Sequence, residues 1–364
     1  MKDIAGSQVS ALAGLFVAAL LIAPASCTKD TSRDAPAPTA GDENAEGPGA
    51  GKVVRAPGQA GDKKTGATGE ESGLSLQGHA ASEFPGVAEP PRVMLQEAGS
   101  GDKQTLRYKL EKGSKHTLAM TMYMTMGMKL GAMGAPRMEM PGMKMVADAT
   151  ITEAADGKFR YDFVYDKEPE VLPTPGSNLQ VMTQLKSQLA VMKGMHGFAV
   201  VTERGFTLEG DIQLAEGTAP QVEQMLGSMR QSLQQIAAPL PEEPVGKGAR
   251  WKVLYHLNMN GIEIYQVGEF ALVEFDGDKL TLEVEMWQRA PKQFISPSGM
   301  PKGSRAEIER MASSGKGTMK LTLDQLTPES QLTMESALSA NLDIHGQKQA
   351  MSMDLSLRVL ISAE

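Results

Sequence analysis

Residues 118–130 read LAMTMYMTMGMKL, with methionine or leucine at every even-numbered position. Alternation with a period of two places these side chains on one face of a β-strand, and the intervening small or polar residues on the other. After a break rich in glycine and proline, methionines resume and continue to Met145. We therefore predict a long strand whose methionine face is turned inward on a curved sheet.

The composition narrows the classes of function. The chain has 364 residues, a net charge of −8 and 25 methionines, which are flexible and polarisable and line adaptable apolar surfaces. The negative charge argues against nucleic-acid binding, which needs a basic surface. Cys27 is the only cysteine, so the sequence offers neither an internal disulfide nor a cysteine-based zinc site.

The first residues have the features of an export signal. Lys2 is followed by an apolar run, residues 11–23, and the small pair Ala25-Ser26 stands directly before Cys27. This arrangement resembles a bacterial lipoprotein signal, which implies removal of residues 1–26 and acylation of Cys27. Thr28 follows the cysteine, and by the same resemblance we expect a lipid anchor in the outer membrane, facing the periplasm. More than one acyl chain gives stable anchoring to a membrane.

Two regions follow the predicted signal. Residues 27–92 are mostly Ala, Gly, Pro, Thr and charged residues, and such a segment cannot bury enough apolar surface to offset the entropy of ordering. We predict a disordered tether there and a β-rich domain over 93–364. A weak repeat of strand, acidic glycine turn and strand suggests two β-halves, 104–210 and 248–362.

The fold class is predicted as mainly β, an α+β arrangement in which an antiparallel meander forms a curved sheet or incomplete barrel. Short segments with turn chemistry separate the alternating runs, and residues 291–317 are predicted as a long loop. A further strand is predicted at 106–110. The predicted hairpin turns are 155–158, 260–261, 276–279 and 345–348.

Two amphipathic helices are predicted in the middle of the chain. Ser177 or Asn178 can cap the first, whose apolar residues recur at helical spacing until Gly194. The second spans 218–239, beginning at Thr218 and ending at Pro239. We expect both helices to cover an edge or the mouth of the sheet.

Residues 240–251 read LPEEPVGKGARW. The pattern P-V-G-x-G-x-x-W resembles a signature of uncharacterised bacterial lipoproteins, which combine a signal, a spacer and a β-rich domain. That resemblance implies no activity. The layout is also similar to the fold of lipoprotein localisation factors, an incomplete barrel whose apolar concave face is covered by helices; this similarity is an analogy at the level of the fold.

Signals of catalysis are missing from the sequence. The five histidines are isolated, no paired-histidine metal motif occurs, and no G-x-S-x-G elbow is present. We therefore predict a protein that is not an enzyme and that needs no cofactor.

Three interpretations of the methionines remain open. The strand could simply face a packed core, or its face could line a cavity for a hydrophobic ligand or partner. The third is Cu(I) binding, because thioethers prefer soft metals and the break after residue 130 could fold back. The ligand hypothesis names Met120, Met122, Met124, Met126 and Met128. The metal hypothesis names Met133, Met138, Met140 and Met143.

Overall fold

The computed structural model describes residues 75–87, 89–131, 133–213, 237–259, 261–295, 304–326, 328–344 and 346–364. All of them belong to one compact unit of the chain. The predicted signal, Cys27 and all but the last three residues of the second predicted helix lie outside the described residues.

The described residues are dominated by strands. The strands before residue 214 are β1 (Ser75–Leu76), β2 (His79–Ala80), β3 (Arg92–Glu97), β4 (Ser100–Gln104), β5 (Lys115–Leu130), β6 (Met133–Glu139), β7 (Gly142–Ala155), β8 (Lys158–Val164), β9 (Glu170–Leu172), β10 (His196–Thr202) and β11 (Thr207–Gln213). Those after residue 236 are β12 (Val245–Lys247), β13 (Arg250–Met259), β14 (Ile262–Asp276), β15 (Lys279–Ala290), β16 (Gln293–Ile295), β17 (Arg305–Thr322), β18 (Glu329–Ile344) and β19 (Gln347–Ala363).

One antiparallel sheet of 15 strands organises the described part of the chain. Within the described residues its main path runs β11-β10-β8-β7-β5-β19-β18-β17-β15-β14-β13-β3, so β11 and β3 stand at the two ends of that path. Two meanders join where the last strand, β19, pairs with β5, from Leu118–Ala363 to Leu130–Met351. The predicted antiparallel meander is therefore confirmed, and the sheet is open.

Glycines with positive φ form the turns of two predicted hairpins. Gly157 and Gly277 both have positive φ, +68° and +60°, a conformation that glycine adopts without the penalty of a Cβ atom. They connect β7 to β8 and β14 to β15. Each of these two hairpins also carries a register shift a few residues before its turn. Such bulges increase the local twist of a sheet.

One α-helix, α1 (Leu179–Leu189), lies in the described part, where two helices were predicted. The side chain of Asn178 caps it by accepting a hydrogen bond from the backbone N–H of Gln180. A short 3-10 turn, Ala190–Met192, continues it. Leu189 and Met192 are buried, so the helix docks by its C-terminal end.

The main core lies on one side of the sheet, called here the inner face. Trp251 is fully buried there; its ring stacks on Phe270 at 5.6 Å, and its Nε1–H donates to the carbonyl of Pro239. The segment 105–111 crosses this core. The Tyr108 backbone N–H donates to Glu203 and that of Lys109 to Leu323, so the segment ties the two meanders together.

Glycines permit the sheet to bend on its inner face. A Cβ atom at Gly317 would overlap the backbone oxygen of Gln331, and one at Gly315 would lie 3.0 Å from that of Thr333. Both glycines are on β17, opposite β18. The backbones of the two strands can approach closely here only because neither residue has a side chain.

A small second cluster covers the outer face. Leu76 and Phe84 pack against Leu254 and Val267, residues that alternate with the inward-facing ones of β13 and β14. Residues 75–87, which fall within the segment predicted as a tether, therefore pack against the sheet. Leu76 and Phe84 hold this segment together with a hydrogen bond from Arg289 to the carbonyl of Ser75, and composition alone did not distinguish it from the tether.

Two further predictions were wrong. Much of the predicted loop 291–317 forms β17, whose small and polar residues pair with β15 on one side and β18 on the other. The predicted strand at 106–110 is instead an irregular segment. Its side chains Leu106, Tyr108 and Leu110 are nevertheless buried in the main core.

Candidate functional site

The methionine strand β5 has the predicted extended conformation, and its methionine face turns inward. Met122, Met126 and Met128 are buried, whereas Met120 and Met124 are partly buried and pack against the main core. Tyr123 and Thr125 point to the other face. The five residues of the ligand hypothesis therefore share one wall of the interior.

Methionines also face one another across strands. Met120 lies opposite Met145 and Met122 opposite Met143, both on β7. Directly opposed residues of an antiparallel pair have Cβ atoms about 4.5–5.5 Å apart, so these methionines are neighbours on the same face. On the other side of β5, Met353 stands opposite Met128. The inner wall near β5 is thus a patch of flexible sulfur-containing side chains.

The structure does not bring together the four residues of the metal hypothesis. Strands β6 and β7 lie one after the other along the same side of β5, with Met133 opposite Leu130 and Met143 opposite Met122. Eight residues of β5 separate these positions, roughly 27 Å at the rise of a strand.

The remaining two residues of that hypothesis lie between these ends. Met138 is opposite Met126 and 49% exposed, and the backbone N–H of Met140 donates to Met124. A fold-back after residue 130 does exist, but it runs along β5 and spreads the four residues along that strand instead of gathering them.

A row of polar residues crosses the same inner face. Cross-strand pairing places Tyr255, Gln266, Gln288, Ser313 and Ser336 next to one another on five successive strands. All five are buried. The row then continues through Leu355 on β19 to Met126 on β5. We call these five residues the polar row.

Hydrogen bonding within the polar row is incomplete. Gln288 Nε2 donates to Gln266 Oε1 at 2.7 Å, and Ser313 Oγ donates to Ser336 Oγ at 2.9 Å. Three other buried atoms have no partner, namely Tyr255 Oη, Gln266 Nε2 and Gln288 Oε1. Each unpartnered buried polar group costs about 1–3 kcal/mol of folding free energy, so their retention calls for an explanation.

Burial also fixes the protonation of the tyrosine in this row. Loss of hydration raises the pKa of Tyr255 well above its usual value of 10.0. The phenol therefore keeps its proton at physiological pH and can donate a hydrogen bond. The polar row was not predicted from the sequence, although glutamine in the apolar phase of β14 and β15 was a visible signal.

The outer face carries an open trough of about 700 Å³. Arg289 and Glu335 line it and alternate with inward-facing residues, and Gln288, Ser313 and Ser336 of the polar row adjoin it from within the sheet. Its charges are partly paired: Arg137 lies 3.4 Å from Glu335, and Arg289 donates to the carbonyl of Ser75. Small residues form its floor, among them Gly127, Ala312 and Ala337.

The signature-like segment has a structural role. Gly248 adopts φ +83° in a turn, and its backbone N–H donates to the carbonyl of Leu272. Trp251 follows near the start of β13 and is fully buried. Among the described residues, His, Cys, Asp and Glu side chains form no group of three that could hold a metal ion. No helix among these residues is long and apolar enough to cross a membrane.

Comparison with known proteins adds no relative. The chain matches no protein-family model and no curated protein.

Proposed function

We propose that this protein is a bacterial lipoprotein of the cell envelope that is not an enzyme. It is anchored through lipidated Cys27, in the outer membrane and facing the periplasm, and it binds a hydrophobic ligand or partner against its methionine-lined inner face. The single observation that carries the binding proposal is the patch around β5, where partly buried Met120 and Met124 adjoin the opposed methionine pairs.

The flexibility of the methionine side chains supports binding of apolar ligands. A methionine side chain has three rotatable bonds and a polarisable sulfur, so a wall built from it can repack around apolar shapes of different size. Met120 and Met124 are not sealed into the core, and Met143 on β7 is likewise only partly buried. These three side chains can move to admit a ligand at lower cost than the fully buried residues.

The binding proposal is tested with a fluorescent apolar probe titrated into the purified full chain. The double variant Met120→Gln/Met124→Gln should weaken probe binding roughly 10-fold to 100-fold, because a buried amide without a partner costs about 1–3 kcal/mol. Thr125→Gln, on the opposite face of the same strand, is the matched control and should bind as the wild type does. Equal loss in both variants, or no probe binding by the wild type, contradicts the proposal.

The anchor proposal is tested separately in cells. Cys27→Ala should abolish incorporation of labelled palmitate and release the protein from the membrane fraction, because it removes the only thiol. Retention of the label or of membrane association in the variant contradicts the anchor at this residue.

A second candidate, Cu(I) binding, has one observation in its favour. Met120, Met122, Met143 and Met145 form two adjacent opposed pairs on one face, which offers four thioethers within a small area. Anaerobic Cu(I) titration of wild type against Met143→Leu/Met145→Leu tests it. Tight binding that the variant loses supports the metal, whereas weak and unchanged binding removes it.

A further inference from the structure

We propose that Gln266, Gln288 and Tyr255 form a hydrogen-bonding site for an uncharged polar group of an amphiphile, such as an ester, amide or hydroxyl, whose apolar chain extends toward the methionine strand. This inference rests on the proposed ligand binding and narrows the chemical class of the ligand. The unpartnered atoms of the polar row carry it.

The glutamine pair offers both kinds of hydrogen-bonding group. A single hydrogen bond, 2.7 Å long, joins Gln288 Nε2 to Gln266 Oε1. Two primary amides joined in this way always leave one NH2 group and one carbonyl oxygen without a partner in the pair, whichever way round the amides are turned. The leftover atoms, Gln266 Nε2 and Gln288 Oε1, are buried and have no partner.

The tyrosine adds a third group at the end of the row. Tyr255 stands directly opposite Gln266 and is 1% exposed, with its Oη unpartnered. Because burial raises the pKa of Tyr255, the phenol presents a neutral O–H donor. An ester or amide carbonyl can accept from Tyr255 and Gln266, while a hydroxyl or amide N–H can donate to Gln288.

The surroundings exclude a charged headgroup. The polar side chains buried in the described part are serine, threonine and glutamine, and no lysine, arginine, aspartate or glutamate is among them. An ion brought to the row would therefore be desolvated without a counter-charge, at a cost that hydrogen bonds to neutral groups do not offset. A neutral polar group meets no such penalty.

The position of the polar row allows one amphiphile to contact both the glutamine pair and the methionine strand. Gln266 on β14 and Met126 on β5 lie in the same cross-strand row, separated by five strand-to-strand steps. At the usual spacing this is roughly 24 Å along the sheet. The serine pair in between satisfies itself, and Leu355 follows it. An amphiphile with its polar group at Gln266 can thus lay its chain toward the methionines.

The test uses the full chain and two probes, a neutral monoacylglycerol and the apolar fluorescent probe that it displaces. In Gln266→Leu/Gln288→Leu, the affinity for the monoacylglycerol should fall about tenfold or more, since two hydrogen bonds are lost. Affinity for the apolar probe should change less than about threefold. Ser314→Ala, which changes the neighbouring residue on the outer face of β17, is the control and should leave both affinities unchanged.

Two further measurements distinguish failure of this inference from failure of the proposed function. Tyr255→Phe removes only a hydroxyl and should weaken monoacylglycerol binding about three-fold to tenfold, so the inference stays testable if the double variant does not fold. The wild type should bind the monoacylglycerol more tightly than the ionised fatty acid of equal chain length. Probe binding without these differences overturns this inference and leaves the proposed function intact. Absence of all binding overturns both.

Discussion

The two faces of the same strands treat polar residues differently. On β15 and β17, Gln288 and Ser313 are buried, whereas their neighbours Arg289 and Ser314 are partly or fully exposed on the outer face, which carries the trough. Adjacent residues of one strand thus meet an apolar interior or water, depending only on strand phase. Polarity tells little about a residue's role until the face is known.

Substitutions are therefore expected to cost more stability on the inner face than on the outer face. Among the described residues, the inner face contains the main core and the outer face the small cluster around Leu76, Phe84, Leu254 and Val267. Close packing makes a core residue costly to truncate, and solvent allows an exposed one to relax. Paired substitutions on the two faces therefore test the comparison directly.

The largest difference is expected for the two tryptophans. Trp251→Ala, on the inner face, should lower the free energy of unfolding by about 3–5 kcal/mol. Trp287→Ala, which removes a partly buried ring on the outer face, should cost less, about 1–2 kcal/mol. Urea unfolding followed by circular dichroism measures both. Equal losses would contradict the assignment of the main core to the inner face.

An intermediate difference is expected for two glycines. Gly317→Ala should destabilise the chain by about 1–3 kcal/mol, because the new Cβ atom overlaps the backbone of Gln331. Gly127→Ala, on the outer face of β5, should change stability by less than ~0.5 kcal/mol, since the nearest atom to its Cβ is 3.8 Å away. Thermal unfolding of the two variants compares them, and a neutral Gly317→Ala would show that the close approach of β17 and β18 is dispensable.

The smallest effect is expected for an ion pair of the trough. Arg137 and Glu335 are 3.4 Å apart with side chains 53% and 61% exposed, so Arg137→Gln should cost less than ~1 kcal/mol. The difference should shrink further in 1 M salt, which screens exposed charges. A loss as large as that of Trp251→Ala, or one insensitive to salt, would mean that the outer face is not solvated at this point.

Local signals in the sequence were sufficient for the parts of the fold that depend on neighbouring residues. The period-two methionines predicted β5, glycine turns predicted the hairpins at Gly157 and Gly277, and Asn178 predicted the start of the helix. Each of these features depends on interactions within a few residues. They can therefore be predicted without knowledge of the rest of the chain.

Predictions from the sequence were wrong where pairing with neighbouring strands outweighs the intrinsic preference of a segment. Residues 305–317 of β17 are rich in serine, glycine and charged residues and were predicted as a loop, but pairing with β15 and β18 on the two sides holds them extended. The segment at 106–110 alternates like a strand and yet finds no strand partner, because it crosses the core between the meanders. In both cases the partner strands decided the conformation.

The sequence by itself determined the strand period, the turns, the helix cap and the inward phase of the methionines, because these depend on the geometry of consecutive residues. Only the tertiary structure decided that Gln266, Gln288 and Tyr255 share one buried row, and that Met133 and Met143 do not meet. Register across a 15-stranded sheet joins residues from distant parts of the chain. It is set by the packing of the whole sheet, which no local pattern specifies.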